Sequence, residues 1–254
     1  MRIIPRLRGS LMPMSRMPFV DWGAPLVEGR FLHRPNRFVV HVDVPGRGAV
    51  VAHLADPGRL RELLVPGRRM GLRPEPPSAT RSTRWTALLV ESPDGSGWVS
   101  VNTTMPNRLV ELALRDRVLD ELAAWRYVRR EVSYGASRLD FLLEDDAGRL
   151  LYMETKSVTL VEDDVALFPD AVTARGARHL EELVRAVEEG HEAAVLFVLQ
   201  RPDARRIVAA RAIDPNFADT LERAQAAGVR VLGRRCSVGW DGIRLGTPVP
   251  AAAG

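Results

Sequence analysis

The 254-residue sequence contains one cysteine, no long hydrophobic run and no apolar segment after its first arginines. Cys236 alone excludes an internal disulfide and a multi-cysteine metal site, and it fits a reducing compartment. The longest strongly apolar stretch, Ala193 to Leu199, is far shorter than the roughly 20 residues that span a membrane. The amino-terminal sequence is not typical of a secretory signal. These scarcities favour a cytoplasmic protein that does not enter a membrane.

Lysine is equally scarce, because 35 of the 36 basic side chains are arginine. A GC-rich genome replaces lysine by arginine wherever a generic positive charge is sufficient. Lys156, the one lysine, is therefore a candidate for a task that arginine does not perform, such as transferring a proton. This hypothesis depends on the residues that surround Lys156.

The charge is unevenly distributed along an otherwise ordinary globular composition, with 46% hydrophobic and 27% charged residues. Residues 1–103 carry 15 arginines and 8 acidic residues, whereas residues 104–254 are net acidic. A basic first part favours a polyanionic partner, and an acidic second part could hold a cation. Scattered solvated charge would give the same counts. The length suits one large or two small domains.

Three segments follow from the sequence pattern. Residues 1–24 lack periodicity and predict a flexible arm, or a start codon assigned too far upstream. Residues 25–103 contain short strands between Pro-Gly, Gly and Asp-Gly turns, which predict an OB-like β-barrel that binds nucleic acid. Residues 104–254 alternate helices and strands, which predicts a mixed α/β sheet. The predicted helices cover 106–124, 171–189 and 215–227, and a last hairpin turns at 241–242.

The segment around Lys156 predicts a β-hairpin. A three-residue loop at 146–148, with glycine in the left-handed position, sets its register. In this register Asp140 lies opposite Glu154, and Lys156 falls on the same face as both carboxylates. The opposite face is expected to be apolar and to carry Leu139, Phe141, Leu143, Leu151 and Met153.

Two opposed carboxylates repel each other unless another group compensates. A divalent cation would do so, and carboxylate oxygens with room for water suit Mg²⁺ or Mn²⁺. Lys156 could then contact a metal-bound water or a phosphate, an arrangement suited to in-line attack on a phosphodiester. A salt-bridged hairpin on a solvated face explains the local pattern equally well, because Asp…Glu-x-Lys is common by chance.

Asp140 with Glu154-Thr155-Lys156 resembles the PD-(D/E)xK nuclease signature, in which the acidic residues hold Mg²⁺ and the lysine assists the attacking water. Longer sequence words surround it. They are His53-Leu-Ala-Asp-Pro-Gly-Arg-Leu60, Asn102-Thr-Thr-Met-Pro-Asn-Arg108, Ser137-Arg-Leu-Asp-Phe-Leu-Leu143, Glu154-Thr-Lys-Ser-Val-Thr159, and Phe168-Pro-Asp-Ala-Val-Thr-Ala-Arg-Gly176 with His179-Leu180.

Together these words resemble the sugar fermentation stimulation protein A family, over about Leu26 to Pro248. The resemblance implies an N-terminal OB-like domain, a C-terminal nuclease-like domain and DNA binding, originally linked to maltose utilisation. Two departures stand out. Thr155 stands where valine is more usual, and residues 1–24 have no counterpart in the family.

Further residues are candidates for the same site, and each has a plainer explanation. Nuclease-like folds add acidic or polar groups from the first helix and strand, although a solvated face explains such residues as well. These are Glu111 and Glu131, with Asn102 and Asn107. Asp170, Arg175 and His179 begin the second helix, where a phosphate could bind. A capping aspartate with solvated bases is the alternative.

Other candidates lie outside the hairpin and the second helix. Gln200 ends a buried strand and could line the same cleft. Arg37, Arg59 and Arg61 are candidates for phosphate contacts from the barrel. The Asp-Pro-Gly turn that contains Asp56 is either a DNA-contact loop or ordinary turn chemistry.

The leading hypothesis is a DNA-binding protein with a Mg²⁺- or Mn²⁺-dependent nuclease centre. Asp140 and Glu154 would be its metal ligands, and Lys156 would orient or deprotonate the attacking water. A non-catalytic DNA-binding regulator of sugar metabolism, with a relic nuclease site, has the same carboxylate register. A glycosidase is disfavoured, since an adjacent lysine would keep both carboxylates anionic. The preference for DNA or RNA and the oligomeric state stay open, a homodimer included.

Overall fold

The first segment forms a closed five-stranded barrel in a computed structural model that describes residues 16–78 and 82–254. Strand β1 (Phe19–Asp21) precedes it and belongs to another sheet. The barrel strands are β2 (Val27–Asn36), β3 (Val39–Val44), β4 (Gly48–Leu54), β5 (Arg69–Pro74) and β6 (Trp85–Glu91), and β7 (Trp98–Ser100) extends β6. The parallel pairing of β4 with β6 closes the barrel. The expected OB-like barrel is confirmed.

The second segment forms a mixed sheet of seven strands. Its elements are α1 (Met105–Arg115), β8 (Arg126–Tyr134), β9 (Ser137–Glu144), β10 (Leu150–Val158), β11 (Leu160–Glu162), β12 (Val165–Phe168), α2 (Ala174–Glu188), β13 (Glu192–Leu199), β14 (Arg206–Ala209), α3 (Pro215–Ala227), β15 (Arg230–Val238), β16 (Gly242–Pro248) and β17 (Ala251–Ala252). The strand order is β1-β16-β15-β13-β10-β9-β8, with β10, β13 and β15 parallel at the centre. The expected mixed α/β architecture is confirmed.

Helices cover both faces of this sheet, which explains why β13 is apolar along almost its whole length. Helix α1 packs on one face through Leu109 and Ala113. Helices α2 and α3 pack on the other face, where Leu183 and Phe217 are fully buried. Strands β11, β12, β14 and β17 form a separate small sheet. Within the described part of the chain, the helices are too short or too polar to cross a membrane.

The hairpin of β9 and β10 has the expected register near its turn. Leu142 pairs with Tyr152 and Phe141 with Met153, and the loop closes where the Asp145 N–H donates to the Arg149 carbonyl at 3.0 Å. Gly148 takes the left-handed conformation, with φ 77°. The paired ladder ends at Phe141 and Met153, before Asp140 and Glu154 are reached.

The prediction of one apolar face for this hairpin is wrong at one residue, Leu139. Phe141, Leu143, Leu151 and Met153 share a core with α1, whereas Leu139 packs in the core of α2 and α3. The regular alternation of a strand holds only while the ladder is continuous. It therefore no longer predicts the side-chain direction beyond Phe141.

Two expectations about element bounds also fail. The first helix ends at Arg115 instead of continuing to 124, because Asp116 caps it and Arg117 adopts a φ of 55°. A short 3₁₀ helix at Asp120–Leu122 follows. Strand β1 lies within the segment expected to be a flexible arm, and it pairs with β16. The rest of that expectation concerns mainly residues 1–15, which lie outside the described residues.

Asp214 connects the two helices behind the sheet, and its loss is expected to destabilise the protein. Its carboxylate caps α3 by accepting the Phe217 N–H at 3.0 Å, and it accepts the Thr173 N–H, just before α2, at 2.8 Å. Asp214→Ala should lower the free energy of unfolding by about 1–2 kcal/mol. Urea denaturation beside Gln225→Ala, an exposed position of α3, tests this. Equal losses in both variants would contradict it.

Candidate functional site

Glu154 and Lys156 come together with His179 on the α2 side of the sheet. Lys156 Nζ donates to Glu154 Oε1 at 2.8 Å, and His179 Nδ1 is hydrogen-bonded to the same oxygen at 2.5 Å. All three side chains are buried, with Lys156 8% and Glu154 4% exposed. The second Glu154 oxygen, Oε2, is buried and has no hydrogen-bond partner. Strand β10 and helix α2 therefore hold one carboxylate with a free oxygen.

Asp140 lies beside this group and is held by two donors. Asn107 of α1 donates its side-chain amide to Asp140 Oδ1 at 2.7 Å, and the Thr155 N–H donates to Oδ2 at 2.7 Å. The second contact occupies the point where the ladder between β9 and β10 has ended. Asp140 thus contacts the backbone of β10 instead of pairing in register across from Glu154.

The two carboxyl groups have pKa values shifted in opposite directions. Burial and, to a smaller extent, the charge of Glu154 together raise the pKa of Asp140 to about 6, although the Thr155 N–H, Lys156 and Asn107 act to lower it. Burial also acts to raise the pKa of Glu154, but the hydrogen bond of His179 and the charge of Lys156 outweigh it and lower the pKa. Lys156 acts to lower the pKa of both carboxyls, as expected, but at Asp140 burial and the charge of Glu154 outweigh it.

A divalent cation fits the residues at this point. A buried carboxylate oxygen without a partner is uncommon and calls for a ligand, and Glu154 Oε2 is such an oxygen. No cluster of three or more His, Cys, Asp and Glu side chains suited to a metal occurs in residues 16–78 and 82–254. Asp140 and Glu154 would therefore supply two hard ligands, with waters and substrate oxygens completing the shell, as Mg²⁺ commonly requires.

Lys156 faces a cleft of about 640 Å³ between the barrel and the α/β domain. One wall is the barrel loop after β4, which includes Asp56 and Gly58, together with Arg37. The α/β domain contributes the segment 168–173, followed by Arg175 at the start of α2. The site is therefore assembled from both parts of the chain.

The barrel loop in this cleft is shaped by an arginine that the sequence did not single out. The Arg34 guanidinium donates to the backbone carbonyls of Gly58, Arg37, Asp56 and Arg59, at 2.6, 2.7, 2.9 and 3.2 Å. Asp56 stabilises the turn from within, because its Oδ1 accepts the Gly58 N–H at 2.8 Å. Backbone carbonyls carry no sequence signature, so no pattern pointed to Arg34.

The titration of Asp56 should make the stability of the protein depend on pH. Burial raises its pKa from 3.8 to about 6; the Gly58 N–H and Arg34 oppose this rise, and Asp170 and Glu62 add to it. Between these two values the folded protein holds a proton that the unfolded chain has lost. The free energy of unfolding therefore falls as pH rises through this window.

Asp56→Asn should remove this contribution, which is at most about 1.4 kcal/mol per pH unit. Denaturation between pH 4.5 and pH 7 should give a shallower slope for this variant than for the unmodified protein. Asp43→Asn, at an exposed position of the same barrel, should keep the original slope. An unchanged slope in Asp56→Asn would refute the assignment.

The structure brings some of the other candidates to the cleft. Arg37, Asp170 and Arg175 line it, and Asp170 Oδ2 accepts the Leu60 N–H at 3.4 Å. His179 contacts Glu154, as described above. Arg59 and Arg61 are exposed on the barrel beside the Asp-Pro-Gly turn.

The remaining candidates are engaged elsewhere. Glu111 accepts from Arg115, Tyr127 and Arg130 on the outer side of α1. Glu131 lies exposed on β8 next to two arginines. Gln200 joins the two domains, because it donates to Ser157 Oγ and accepts from Ser100 Oγ. Asn102 binds the N–H and hydroxyl of Thr104 before α1.

An OB barrel joined to a mixed α/β domain, with Lys156 lining their shared cleft and Glu154 hydrogen-bonded to it, defines a two-domain protein whose second domain carries a nuclease-like set of acidic residues and a lysine. The chain belongs to the sugar fermentation stimulation protein family. The model of the sugar fermentation stimulation protein RE domain matches residues 104–242, and that of the SfsA N-terminal OB domain matches residues 32–101.

Relatives with similar lengths support this membership. The sugar fermentation stimulation protein homolog of Moorella thermoacetica is 42% identical over 230 residues, which cover 91% of this chain and 98% of that protein. The homolog of Chloroflexus aurantiacus is 43% identical over 232 residues, or 91% of this chain and 87% of that protein. The solved structure of Pyrococcus furiosus SfsA in complex with Ca²⁺ is 30% identical, with a TM-score of 0.82 over 92% of this chain and 99% of that one.

Proposed function

We propose that this protein is a nucleic-acid-binding nuclease that uses Mg²⁺ or Mn²⁺, with DNA as its polyanionic partner and the cytoplasm as its compartment. One observation carries the proposal. Glu154 Oε2 is buried and has no hydrogen-bond partner, and burial together with the charge of Glu154 raises the pKa of Asp140 to about 6. The Ca²⁺ in the solved P. furiosus relative supports a divalent cation in this family.

The side chains of the site would divide the work of phosphodiester hydrolysis. Asp140 and Glu154 would hold the cation, which supplies a Lewis acid for the phosphoryl oxygens when bound. Lys156 orients the attacking water and stabilises the negative charge that develops on the phosphoryl group. Asn107 and His179 hold the two carboxylates in place. The exposed arginines of the cleft bind the phosphates of the chain.

Cleavage assays with a matched pair of variants test this function. Single-stranded, duplex and branched DNA, and RNA, would be incubated with the protein in Mn²⁺. Asp140→Asn should lower the cleavage rate by about 100-fold or more, because it removes one anionic ligand and leaves the fold in place. Asp146→Asn, an exposed position in the loop of the same hairpin, should cleave normally.

Two results would count against the proposal. Cleavage of equal rate in Asp140→Asn would show that the activity does not come from this site. Absence of cleavage by the unmodified protein on every substrate would remove the catalytic assignment. Retention of DNA with a salt-dependent affinity would then favour the non-catalytic regulator.

A further inference from the structure

The depth of the candidate centre restricts which nucleic acid reaches it. The reactive groups are almost fully enclosed, since Glu154 is 4% and Lys156 8% exposed. Lys156 lines a cleft of about 640 Å³, and Glu154 is hydrogen-bonded to Lys156 without lining the cleft itself. Clefts of roughly 300–1,000 Å³ enclose one drug-sized ligand, which corresponds to a single nucleotide rather than to both strands of a duplex.

The two sides of the cleft suit a single phosphate backbone. Arg37 lines the cleft from the barrel, and Arg175 lines it from the α/β domain at the start of α2. Both side chains are exposed. A strand that passes between them would place its phosphates between two cations and one nucleotide in the cleft.

Phe38 is an exposed aromatic residue that directly follows the cleft-lining Arg37 in the chain. Its backbone carbonyl accepts the N–H of Leu54, whose neighbour Ala55 lines the cleft. Its ring is 51% exposed although it is one of the larger apolar side chains of the protein. The Asn36 side chain fixes the turn, because Oδ1 accepts the Phe38 N–H at 2.9 Å. The backbone of Phe38 is thus fixed by hydrogen bonds, whereas its side chain is exposed and is not part of a core.

An exposed aromatic ring next to arginines is the arrangement by which proteins bind unpaired bases. Every base has a flat face that stacks on such a ring, and duplex DNA does not offer these faces to a side chain outside it. Arg34 and Arg37 lie close to Phe38 in the chain, so its surroundings are basic. This positive charge favours a polyanion as the partner.

We infer that the substrate is single-stranded nucleic acid, and that Phe38 stacks on an unpaired base as the strand enters the cleft. That the bound strand is the substrate rests on the proposed nuclease function. The binding itself is measurable without cleavage. Phe38 is a binding residue in this scheme and does not touch the reacting phosphate.

Fluorescence anisotropy with the full chain and labelled oligonucleotides in EDTA tests the inference. A single-stranded 12-mer should bind more tightly than the same sequence as a duplex. Phe38→Ala should weaken binding of the single strand by about tenfold, in keeping with the usual strength of base–aromatic stacking. Phe38→Tyr should stay within about twofold of the original affinity. Leu32→Ala, which truncates another exposed apolar side chain of the barrel, should have no effect.

Some outcomes would overturn the inference while leaving the nuclease proposal intact. These are equal affinity for both forms of the oligonucleotide, or unchanged single-strand affinity in Phe38→Ala. Failure of the nuclease proposal is seen separately, as absence of cleavage in Mn²⁺ by a protein that still binds single strands in EDTA. If the Phe38→Ala protein has a lower melting temperature than the Leu32→Ala protein, the affinity of the Phe38→Tyr protein decides the result.

Discussion

Replacing Lys156 by arginine is expected to lower the rate of nucleic-acid cleavage by about 100-fold or more. Arginine keeps the positive charge, but its planar guanidinium is larger than an ammonium and its hydrogen-bonding geometry differs. Lys156 is 8% exposed, and its amine shares one Glu154 oxygen with His179, so the site has little room for the larger group. Positioned groups that act on the proton of a nucleophile typically contribute about 10²–10⁴ in rate.

Single-turnover cleavage of an end-labelled oligonucleotide in Mn²⁺ measures this effect. Arg178→Lys, the reverse exchange at an exposed position of α2, should retain the original rate and serves as the matched control. A Lys156→Arg protein that cleaves normally would show that only the charge matters at this position. The scarcity of lysine in the chain would then carry no functional meaning.

Adding one methyl group at Gly58 is expected to disrupt the junction between the two domains. A Cβ atom there would lie 2.1 Å from Asp170 Oδ2 and 2.7 Å from its Cγ, far inside contact distance. Asp170 has to move, which removes its hydrogen bond with the Leu60 N–H and shifts one side of the cleft. Gly58→Ala should therefore lower the free energy of unfolding by about 1–3 kcal/mol and should also reduce cleavage.

A double substitution separates this contact from a general effect on the turn. Gly58→Ala combined with Asp170→Ala should recover most of the lost stability, because the clashing carboxylate is gone. Gly97→Ala, where the added carbon has open space around it, should have almost no effect. Failure of the double variant to recover would place the damage in the backbone of the Asp-Pro-Gly turn.

The sequence predicted the local parts of this molecule well and the junctions poorly. Alternation and turn residues predicted the barrel strands and the hairpin register near Gly148, because these patterns depend on neighbours in the chain. The direction of Leu139 and the end of α1 at Arg115 depend on where a ladder stops and where the backbone reverses. Composition and residue spacing carry little information about where a ladder stops or where the backbone reverses.

The candidate site shows the same division. Glu154 and Lys156 share a face because they are two residues apart on one strand. The contact of Asn107 with Asp140 and that of Gly58 with Asp170 join residues far apart in the chain. The first contact forms when α1 packs on the sheet of the α/β domain, and the second forms only when the barrel packs against that domain. The family resemblance supplied the prediction of the site residues, but not the groups that position the two carboxylates.

The single lysine allows one side chain of the protein to be labelled selectively with an isotope. Protein grown with lysine labelled with ¹⁵N at Nζ would contain one labelled side chain among 254 residues, and no assignment would be needed. That nitrogen lies 2.8 Å from Glu154 Oε1. Its resonance would therefore report the arrival of a cation or a nucleotide at the centre directly, in the intact protein and without any substitution.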